Sequence, residues 1–225
     1  MKISIIIPVY NEEKTVAEII NRVKRVPYPG KKEIIVIDDG STDMTQKVLR
    51  STHGITLLNN KQNRGKGYSL RKGFSTATGD IILIQDADLE YDPNDHLKMI
   101  KLFDDNSVNI VYGSRFLKPN HKPRYTIYYY GNIFLSFITK ILYGNKITDM
   151  ETCYKSFRRE VLTKITLNAD RFDIEPELTC KLLKNGYKIV EVPIKYKSRS
   201  YSDGKKIGVL DGLYAIYVLL KLKIN

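Results

Sequence analysis

The sequence has few residues of the kinds that build nitrogen- and sulfur-ligated metal sites or disulfide scaffolds. It contains two cysteines and three histidines among 225 residues. Cys153 and Cys180 match no zinc-binding spacing, and the histidines form no His-x-x-x-His pair. We therefore expect neither a zinc site nor a disulfide framework. Two reduced thiols would suit the cytoplasm.

The sequence also lacks a long apolar run. No uninterrupted run approaches the ~20 residues of a membrane-spanning helix, and Met1–Pro8 is too short and strand-like for a signal peptide. Internal repeats, low-complexity tracts and Gly/Ser linkers are absent as well. A chain with these properties is predicted to form one α/β domain over residues 1–225.

Acidic residues are too few to balance the basic ones. Lys and Arg number 37 against 25 Asp and Glu, which gives a formal net charge of +12. This excess favours anionic partners, but charge alone does not choose among nucleotide phosphates, anionic lipids and nucleic acid. Most of the lysines are better explained as a solvated surface.

Short β-branched runs alternate with helical stretches through the first half of the chain. The predicted strands are Ile3–Val9, Glu33–Asp38, Ile55–Asn59, Asp80–Gln85 and Val108–Gly113. The predicted helices are Glu12–Val26, Asp43–Ser51, Lys66–Ala77 and Pro93–Asp104. This order predicts a mostly parallel central sheet flanked by helices, whose strand carboxyl ends share one ligand-binding edge.

The second half of the chain is less regular. Its predicted segments are the apolar, aromatic stretch Tyr125–Leu142, the loop Gly144–Thr152, the strand Cys153–Phe157, the helix Asp173–Asn185 and the strand Lys188–Val192. A charged loop, Lys195–Lys206, then precedes an amphipathic C-terminal helix, Ile207–Leu222. We expect this half to finish the sheet and to build one side of the site.

Two carboxylates follow the fourth predicted strand. Asp86 and Asp88 flank Ala87 directly after the apolar run Ile81–Ile84, so alternate side chains can point toward one cation. Mg²⁺ and Mn²⁺ prefer oxygen ligands, and Mg²⁺ often takes one or two carboxylates together with substrate phosphates. An isolated Asp-x-Asp is more often a solvated turn, but its place among other polar strand ends favours a metal–diphosphate site.

The acidic segment Asp38–Asp43 follows the second predicted strand. Its glycine permits a tight turn, and Ser41 or Thr42 can cap the next helix. A structural turn does not explain two adjacent acids at a strand end, where like charges repel. We therefore predict that Asp39 accepts hydrogen bonds from a base or ribose and that Asp43 is structural.

Several cations are placed where they can reach a diphosphate. Asn63–Gly67 opens the third predicted helix, where glycines beside cations suit an anion, although the segment lacks the P-loop spacing. Arg115 follows the fifth predicted strand, and the charged loop carries Arg199, Lys205 and Lys206. Arg offers phosphate a two-point contact, and we predict that the loop closes over a diphosphate.

Four motifs follow one another through the first half: Ile7–Glu12, Asp38–Asp43, Asn63–Gly67 and Asp86–Asp88. Together they resemble family 2 glycosyltransferases, which have the inverting GT-A (Rossmann-like) fold. Three further motifs narrow the resemblance to the dolichol-phosphate mannose synthase group and its bacterial polyprenyl-phosphate relatives: Gly113–Arg115, Thr148–Thr152 and Arg171–Glu177. The resemblance implies a hexosyltransferase that uses Mg²⁺ or Mn²⁺, a UDP- or GDP-sugar as donor, and a polyprenyl or dolichyl phosphate as acceptor.

The resemblance also implies roles for individual residues. The positions that match nucleotide-lining residues are Pro8, Tyr10, Glu12, Ile37 and Asp39. Asp86 and Asp88 match the metal ligands, while Ala87 matches a residue that touches the nucleotide sugar. Glu90 stands where the mannose synthases commonly carry a Gln that joins the metal site, so it is predicted as a third ligand. The phosphate-binding positions are Arg115, Arg199 and Lys205.

On this interpretation residues 1–115 bind the nucleotide sugar and residues 116–225 form the acceptor side. A polyprenyl phosphate is already an anion, whereas a sugar hydroxyl needs a general base, for which Asp149 is the candidate. From composition alone Asp149 is as easily a structural cap. Peripheral contact with the cytoplasmic membrane face is a further expectation, because Tyr125–Leu142 and Ile207–Leu222 are apolar and the chain is basic.

Two other functions stay open from the residues alone. One is a soluble glycosyltransferase that acts on a saccharide hydroxyl. The other is a non-catalytic nucleotide- or nucleic-acid-binding protein that uses its basic surface. Asp86 and Asp88 argue against nucleic acid, because paired carboxylates would repel its backbone unless a metal intervened. The sequence indicates no oligomeric state.

Overall fold

A seven-stranded sheet forms the centre of the protein, in a computed structural model that describes residues 1–117, 126–199 and 208–224. The strands are β1 Lys2–Val9, β2 Lys31–Asp38, β3 Thr56–Asn59, β4 Ile81–Ile84, β5 Ile110–Ser114, β6 Lys155–Arg158 and β7 Ile189–Pro193. The α-helices are α1 Val16–Arg25, α2 Thr45–Arg50, α3 Lys66–Thr76, α4 His96–Lys101, α5 Thr126–Tyr143, α6 Ile174–Lys184 and α7 Val209–Ile224. Short 3₁₀ segments lie at Pro93–Asp95, Leu102–Asp104 and Arg159–Lys164.

The strands lie in the order β3-β2-β1-β4-β6-β5-β7. Every pair of neighbours is parallel except the two pairs that β6 makes. Strands covered on both faces need apolar side chains on both, and β4 is buried at every residue. The predicted α/β fold, with a mostly parallel sheet flanked by helices, is confirmed.

The reversed strand β6 lies between β4 and β5. Ser156 pairs with Leu83 on one side and with Val111 on the other. Its hydroxyl also donates to the carbonyl oxygen of Val111 at 3.0 Å. Because β6 runs against its neighbours, its first residue, Lys155, lies at the edge where β4 and β5 end. The loop before β6 therefore arrives at the carboxyl edge of the sheet.

Helix α3 packs very closely on the sheet because it carries a glycine at the contact. A Cβ atom on Gly73 would stand 2.5 Å from Cγ2 of Ile6 and 2.9 Å from Cδ1 of Ile37. A larger residue at this place would push the helix away from β1 and β2. Gly73 thus helps to set the position of Lys66, the first residue of α3.

Two helices are shorter than their patterns predict. Helix α1 begins at Val16 instead of Glu12, because Asn11 has a left-handed φ of 51° and the Thr15 hydroxyl donates to the Glu12 carboxylate at 2.8 Å. The segment Pro93–Asp104, predicted as one helix, consists of α4 between two 3₁₀ turns.

The predicted capping of α2 by Ser41 or Thr42 is wrong. The Ser41 hydroxyl accepts a hydrogen bond from the backbone N–H of Asn11 at 2.9 Å, which ties the end of β1 to the end of β2. The cap position is Met44, and the Asp43 carboxylate just before it accepts from the N–H of Thr45, the first residue of α2, at 2.9 Å. The structural role predicted for Asp43 is therefore confirmed.

A second apolar cluster joins α5, α6 and α7. Its buried members are Leu135, Met150, Cys180, Ala215 and Leu219. The Tyr143 hydroxyl donates to the Leu219 carbonyl oxygen at 2.9 Å and links α5 to α7. None of the helices in the described parts of the chain combines the length and the apolarity that crossing a bilayer requires.

The outer faces of α5 and α7 carry exposed apolar side chains. On α5 they are Ile127, Tyr130, Ile133, Phe134, Phe137 and Ile141, and on α7 they are Leu213, Tyr214, Tyr217, Leu220 and Ile224. Spacings of three and four residues place most of each set along one side of its helix. On α7 this side is opposite Ala215 and Leu219, which pack into the second cluster.

Candidate active site

An open cleft of about 270 Å³ lies at the carboxyl edge of the sheet. Its charged lining residues are Glu12, Asp39, Lys66, Asp86, Asp88, Glu90, Arg115, Glu151, Arg171, Glu175 and Arg199. Acids outnumber bases in this set by seven to four, whereas the whole chain has a net charge of +12. The cleft is therefore an acid-rich site within a basic protein, which favours a cation inside it.

Asp86 and Asp88 follow β4 on a sharply turning backbone. Leu89 has a left-handed φ of 62°, and the turn lets the Glu90 N–H donate to the Asp88 carboxylate at 3.1 Å. Burial, together with the charges of Asp86 and Glu90, raises the pKa of Asp88 to about 7. Three neighbouring acids thus repel one another here, and a bound cation would relieve that repulsion.

Lys66 lies against the first of these carboxylates. Its Nζ is 2.9 Å from Oδ1 and 3.1 Å from Oδ2 of Asp86, and 3.0 Å from Oε1 of Glu175. Burial opposes both charges, but the ion pair keeps the pKa of Asp86 below its ordinary value and that of Lys66 well above it. Lys66 was recognised in the sequence only as part of a weak anion-binding motif.

Glu90 and Arg199 connect the segment 196–199 to the carboxylates. The Glu90 carboxylate accepts from the Tyr196 hydroxyl at 2.9 Å and from the Arg199 N–H at 2.6 Å. The Arg199 guanidinium donates to Glu12 at 3.1 Å and to Asp88 at 3.2 Å. Arg199 thereby bridges the ends of β1 and β4.

The Asp39 carboxylate accepts hydrogen bonds from backbone N–H groups and from one side chain of the protein itself. Its carboxylate accepts from the Arg64 N–H at 3.0 Å, from the Gly65 N–H at 2.7 Å and from the Asn60 side chain at 2.7 Å. The N–H groups that precede α3 thus already hold an anion, the carboxylate of Asp39. Gly65 is required there, because it has a φ of 101° and its Cβ would lie 2.3 Å from the Asp170 carbonyl oxygen.

Arg115 and Asp149 form a buried ion pair at the end of β5. The Asp149 carboxylate accepts from the Arg115 backbone N–H at 2.9 Å, from Nε at 2.7 Å and from Nη2 at 2.7 Å. Arg115 lines the cleft, whereas Asp149 is fully buried behind it. The structure therefore does not bring the Asp149 carboxylate into the cleft.

Three charged groups in or beside the cleft, Lys155, Glu175 and Glu151, were not predicted. Lys155 is fully buried, forms an ion pair with Glu175, and donates to the carbonyl oxygens of Met150 and Thr152 at 2.9 and 2.8 Å. Glu151 lines the cleft, and burial raises its pKa to about 7. Their own elements gave no clear signal, because β6 also carries Arg158 and α6 also carries Glu177, Lys181 and Lys184.

Most residues predicted for the site line the cleft. They are Pro8, Tyr10, Glu12, Asp39, Asp86, Ala87, Asp88, Glu90, Arg115 and Arg199. Ile37 is fully buried in β2 beside Gly73, so it lies in the core. Lys205 lies outside the described residues. The roles assigned to these residues stay predictions.

The carboxylates fit a metal that shares its ligands with a substrate. Within the part of the chain that the structure describes, no three His, Cys, Asp or Glu side chains are grouped closely enough to hold a metal ion by themselves. Mg²⁺ commonly binds through one or two carboxylates and fills its other positions with phosphate oxygens and water. Asp86 and Asp88 have the chemistry and spacing for that arrangement.

The cleft's chemistry agrees with comparisons to known proteins. The model of the family described as "Glycosyl transferase family 2" matches residues 4–166. A UDP-N-acetylglucosamine–dolichyl-phosphate N-acetylglucosaminyltransferase from Methanococcus voltae is 31% identical over 245 residues, which cover 99% of this chain and 96% of that protein. A dolichol-phosphate mannosyltransferase from Pyrococcus furiosus is 31% identical over 236 residues, which cover 98% of this chain and 64% of that protein.

Solved structures show the same fold. Glucosyl-3-phosphoglycerate synthase from Mycobacterium tuberculosis, in complex with Mn²⁺, UDP and phosphoglyceric acid, superposes with a TM-score of 0.73 at 19% identity. The match covers 99% of this chain and 78% of that one. The fold is thus GT-A-like. The chain belongs to glycosyl transferase family 2, and it is a glycosyltransferase related to the dolichol-phosphate mannosyltransferases and polyprenyl-phosphate glycosyltransferases.

Proposed function

We propose that this glycosyltransferase moves a hexose from a UDP- or GDP-sugar to a polyprenyl or dolichyl phosphate, with inversion and with Mg²⁺ or Mn²⁺. One observation carries the proposal: a single cleft joins the carboxylates of Asp86 and Asp88 to α5, a helix whose outer face is apolar. The first feature suits a nucleotide diphosphate with its metal, and the second suits a lipid-linked acceptor.

On the donor side, Asp86 and Asp88 would hold the metal, and Pro8, Tyr10 and Asp39 would line the nucleotide. The metal would neutralise charge on the departing diphosphate. An acid-rich cleft repels a diphosphate without such a cation, which supports metal dependence. Glu90 would join the metal site directly or hold the segment beside it.

Two arginines at the cleft would bind the donor's phosphates. Arg115 is held in place by Asp149, so its guanidinium is oriented before a substrate arrives. Arg199 bridges Glu12 and Asp88, and it can exchange these carboxylates for phosphate oxygens of similar geometry. Lys205, predicted as its companion, lies outside the described residues.

On the acceptor side, α5 supports a lipid. Its Tyr128, Tyr129 and Asn132 line the cleft, while Phe134 and Phe137 are exposed on another side of the same helix. A phosphate at the cleft would place its hydrocarbon chain against α5. The Methanococcus voltae and Pyrococcus furiosus relatives are named for dolichyl-phosphate and dolichol-phosphate chemistry, which supports the same acceptor class.

The exposed sides of α5 and α7 also support peripheral contact with a membrane. They combine large apolar residues with tyrosines, and Lys140, Lys221 and Lys223 lie on the same two helices. Aromatic rings and lysines suit the boundary between lipid and water. Such contact would bring the cleft to its acceptor without a membrane-spanning helix.

The donor and acceptor are tested together with a panel of UDP- and GDP-sugars. Thermal shift with Mn²⁺ or Mg²⁺ identifies the nucleotide, and nucleotide release with and without polyprenyl phosphate identifies the acceptor. We expect a metal-dependent shift with one nucleotide and faster release when the lipid phosphate is present. No metal-dependent response to any nucleotide would overturn the proposal. Faster release with a saccharide, and none with the lipid, would favour the alternative acceptor.

The membrane contact is tested by co-sedimentation with vesicles of phosphatidylglycerol and phosphatidylcholine. The double variant Phe137→Glu/Tyr217→Glu places two negative charges on the apolar sides and should abolish sedimentation. Met44→Glu is the matched control, because Met44 is 51% exposed but lies away from these two helices, just before α2. Equal sedimentation of all three proteins, or none by the wild type, would count against membrane contact.

A further inference from the structure

The loop before β6 carries two acids that face different surroundings. Asp149 is fully buried, and three donors of Arg115 occupy its carboxylate. Glu151, two residues later, lines the cleft. Its Oε1 atom is buried without a hydrogen-bond partner among the described residues. The geometry therefore makes Glu151, and not Asp149, the acid of this loop that reaches the cleft without an Arg or Lys already bound to it.

The charged groups around Glu151 are already engaged with other partners. Arg115, after β5, is paired with Asp149. Lys155, on β6, is paired with Glu175 on α6 and also donates to two carbonyl oxygens of the loop. Glu151 forms no ion pair with any Lys or Arg of the described residues, so its charge is only partly compensated. A partly buried carboxylate in this state binds a proton more tightly than an exposed carboxylate does.

We propose that Glu151 is the general base that takes the proton of the acceptor during sugar transfer. The inference rests on the proposed function, since it names the proton acceptor of that same reaction. The acceptor oxygen forms a bond to the anomeric carbon, and the bond from that carbon to the diphosphate oxygen breaks with its electrons on the diphosphate. The acceptor's proton moves to the Glu151 carboxylate, at the side that lines the cleft, and then to solvent.

Glu151 is suited to this task at neutral pH. Burial raises its pKa to about 7, and Glu175 and Asp149 act in the same direction, while Lys155 and Arg115 act against it. A base is most effective when its pKa lies near the working pH, because it is then both available and strong enough. The Asp149 carboxylate would have to give up Arg115 before it could serve.

A phosphate acceptor also has a proton to lose. A phosphate monoester has a second pKa of about 6, so a fraction of it is still protonated at neutral pH. The product is a diester, a strong acid that does not retain this proton. Glu151 would therefore matter most for water or a hydroxyl acceptor. For a phosphate it would matter more at about pH 6 than at about pH 8.

The test compares the wild type with Glu151→Gln and Glu151→Asp. Slow donor hydrolysis by water, transfer to polyprenyl phosphate at acid and alkaline pH, and donor affinity are measured for each. We expect Glu151→Gln to lower kcat for hydrolysis by about 100-fold or more. Its loss with the lipid phosphate should be larger at low pH than at high pH. Donor affinity should stay unchanged, and Glu151→Asp should recover part of the rate.

Three results would decide against the inference. They are an unchanged kcat and pH profile in Glu151→Gln, a loss that is equal at all pH values with both acceptors, and a loss explained by weaker donor binding. Glu160→Gln is the matched control, because Glu160 is exposed on the 3₁₀ segment after β6. If the wild type itself binds no nucleotide with metal, the proposed function fails, and that outcome is separate from these three.

Discussion

The guanidinium of Arg115 and the carboxylate of Asp149 form a two-point ion pair, with Nε–Oδ2 and Nη2–Oδ1 distances of 2.7 Å. Asp149 is fully buried, and Arg115 is 8% exposed. Removing one partner of such a pair leaves the other charge buried without a counter-charge, which costs about 3–5 kcal/mol. We expect Asp149→Leu to lower the free energy of unfolding by this order, as measured by urea denaturation.

The double variant Arg115→Met/Asp149→Leu is the control for this ion pair. This double variant leaves no unpaired buried charge, so it should be more stable than Asp149→Leu alone. The single variants Arg115→Met and Asp149→Leu complete the comparison. If their losses of unfolding free energy simply add up to that of the double variant, the two charges are not coupled and the buried pair does not behave as the structure indicates.

Lys66 competes with any cation that approaches Asp86. Its Nζ lies 2.9 Å from Asp86 Oδ1 inside a mostly buried site. At this separation the attraction is several kcal/mol even with substantial screening, and Lys66→Met removes it. We expect Mn²⁺ binding in the absence of nucleotide to become at least about tenfold tighter, a change of about 1.4 kcal/mol. Electron paramagnetic resonance of free Mn²⁺ measures this affinity.

Lys72→Met is the matched control for Lys66. Lys72 lies on the same helix, but its Nζ donates to oxygens of Asn59 and Asn60, at 2.8 and 2.9 Å. Its removal should leave Mn²⁺ affinity unchanged. Equal Mn²⁺ affinities in wild type and Lys66→Met would mean that the ammonium does not occupy the metal's place.

Glu90 is both a predicted metal ligand and the anchor of the segment 196–199. Its two oxygens are engaged by the Tyr196 hydroxyl and the Arg199 N–H. We therefore expect Glu90→Gln to raise KM for the donor with little change in Mn²⁺ affinity. Tyr196→Phe removes one of these bonds and should shift KM in the same direction. A loss of Mn²⁺ affinity in Glu90→Gln alone would instead identify Glu90 as a ligand.

His96 should make the protein less stable in mild acid. Burial lowers its pKa to about 3 from 6.5, its Nδ1 contacts the Tyr28 hydroxyl, and its Nε2 has no partner among the described residues. Below about pH 6.5 the His96 imidazole binds a proton in the unfolded chain but stays neutral in the folded chain. Stability should therefore fall with decreasing pH, by at most about 1.4 kcal/mol per pH unit from this group.

Urea unfolding between neutral and mildly acidic pH measures this dependence. His96→Gln should flatten the slope, whereas His53→Gln should not, because His53 is exposed. An unchanged slope in His96→Gln would show that other groups cause the loss of stability in acid.

The sequence predicted well that acids at the ends of β2 and β4 would line one cleft, because these acids come just after buried β-branched runs. Asp39, Asp86 and Asp88 are local features of strand ends, and the parallel sheet brings such ends together. Asp149 and Glu151 lie two residues apart in one loop, and nothing local in the sequence shows which of them faces the cleft. That depends on Arg115, which is 34 residues from its partner Asp149.

Pairings between residues distant in sequence could not be predicted from the local sequence pattern for the same reason. Lys155 and Glu175 neutralise each other inside the protein, and neither position has a periodicity that signals its partner. Ile37 is the opposite case. The resemblance placed it at the nucleotide, whereas α3 packs over it through Gly73 and keeps it in the core.

The reversed strand β6 also constrains how the chain can fold. β5 does not touch β4, because β6 lies between them. Until residues 155–158 are available, β4 has an open edge and β5 lacks the neighbour that joins it to the rest of the sheet. Open edges invite mispairing, and pairings distant in sequence form slowly. Residues 1–115 and 116–225 should thus behave as one cooperative unit, so a fragment that ends at residue 115 would be prone to aggregate.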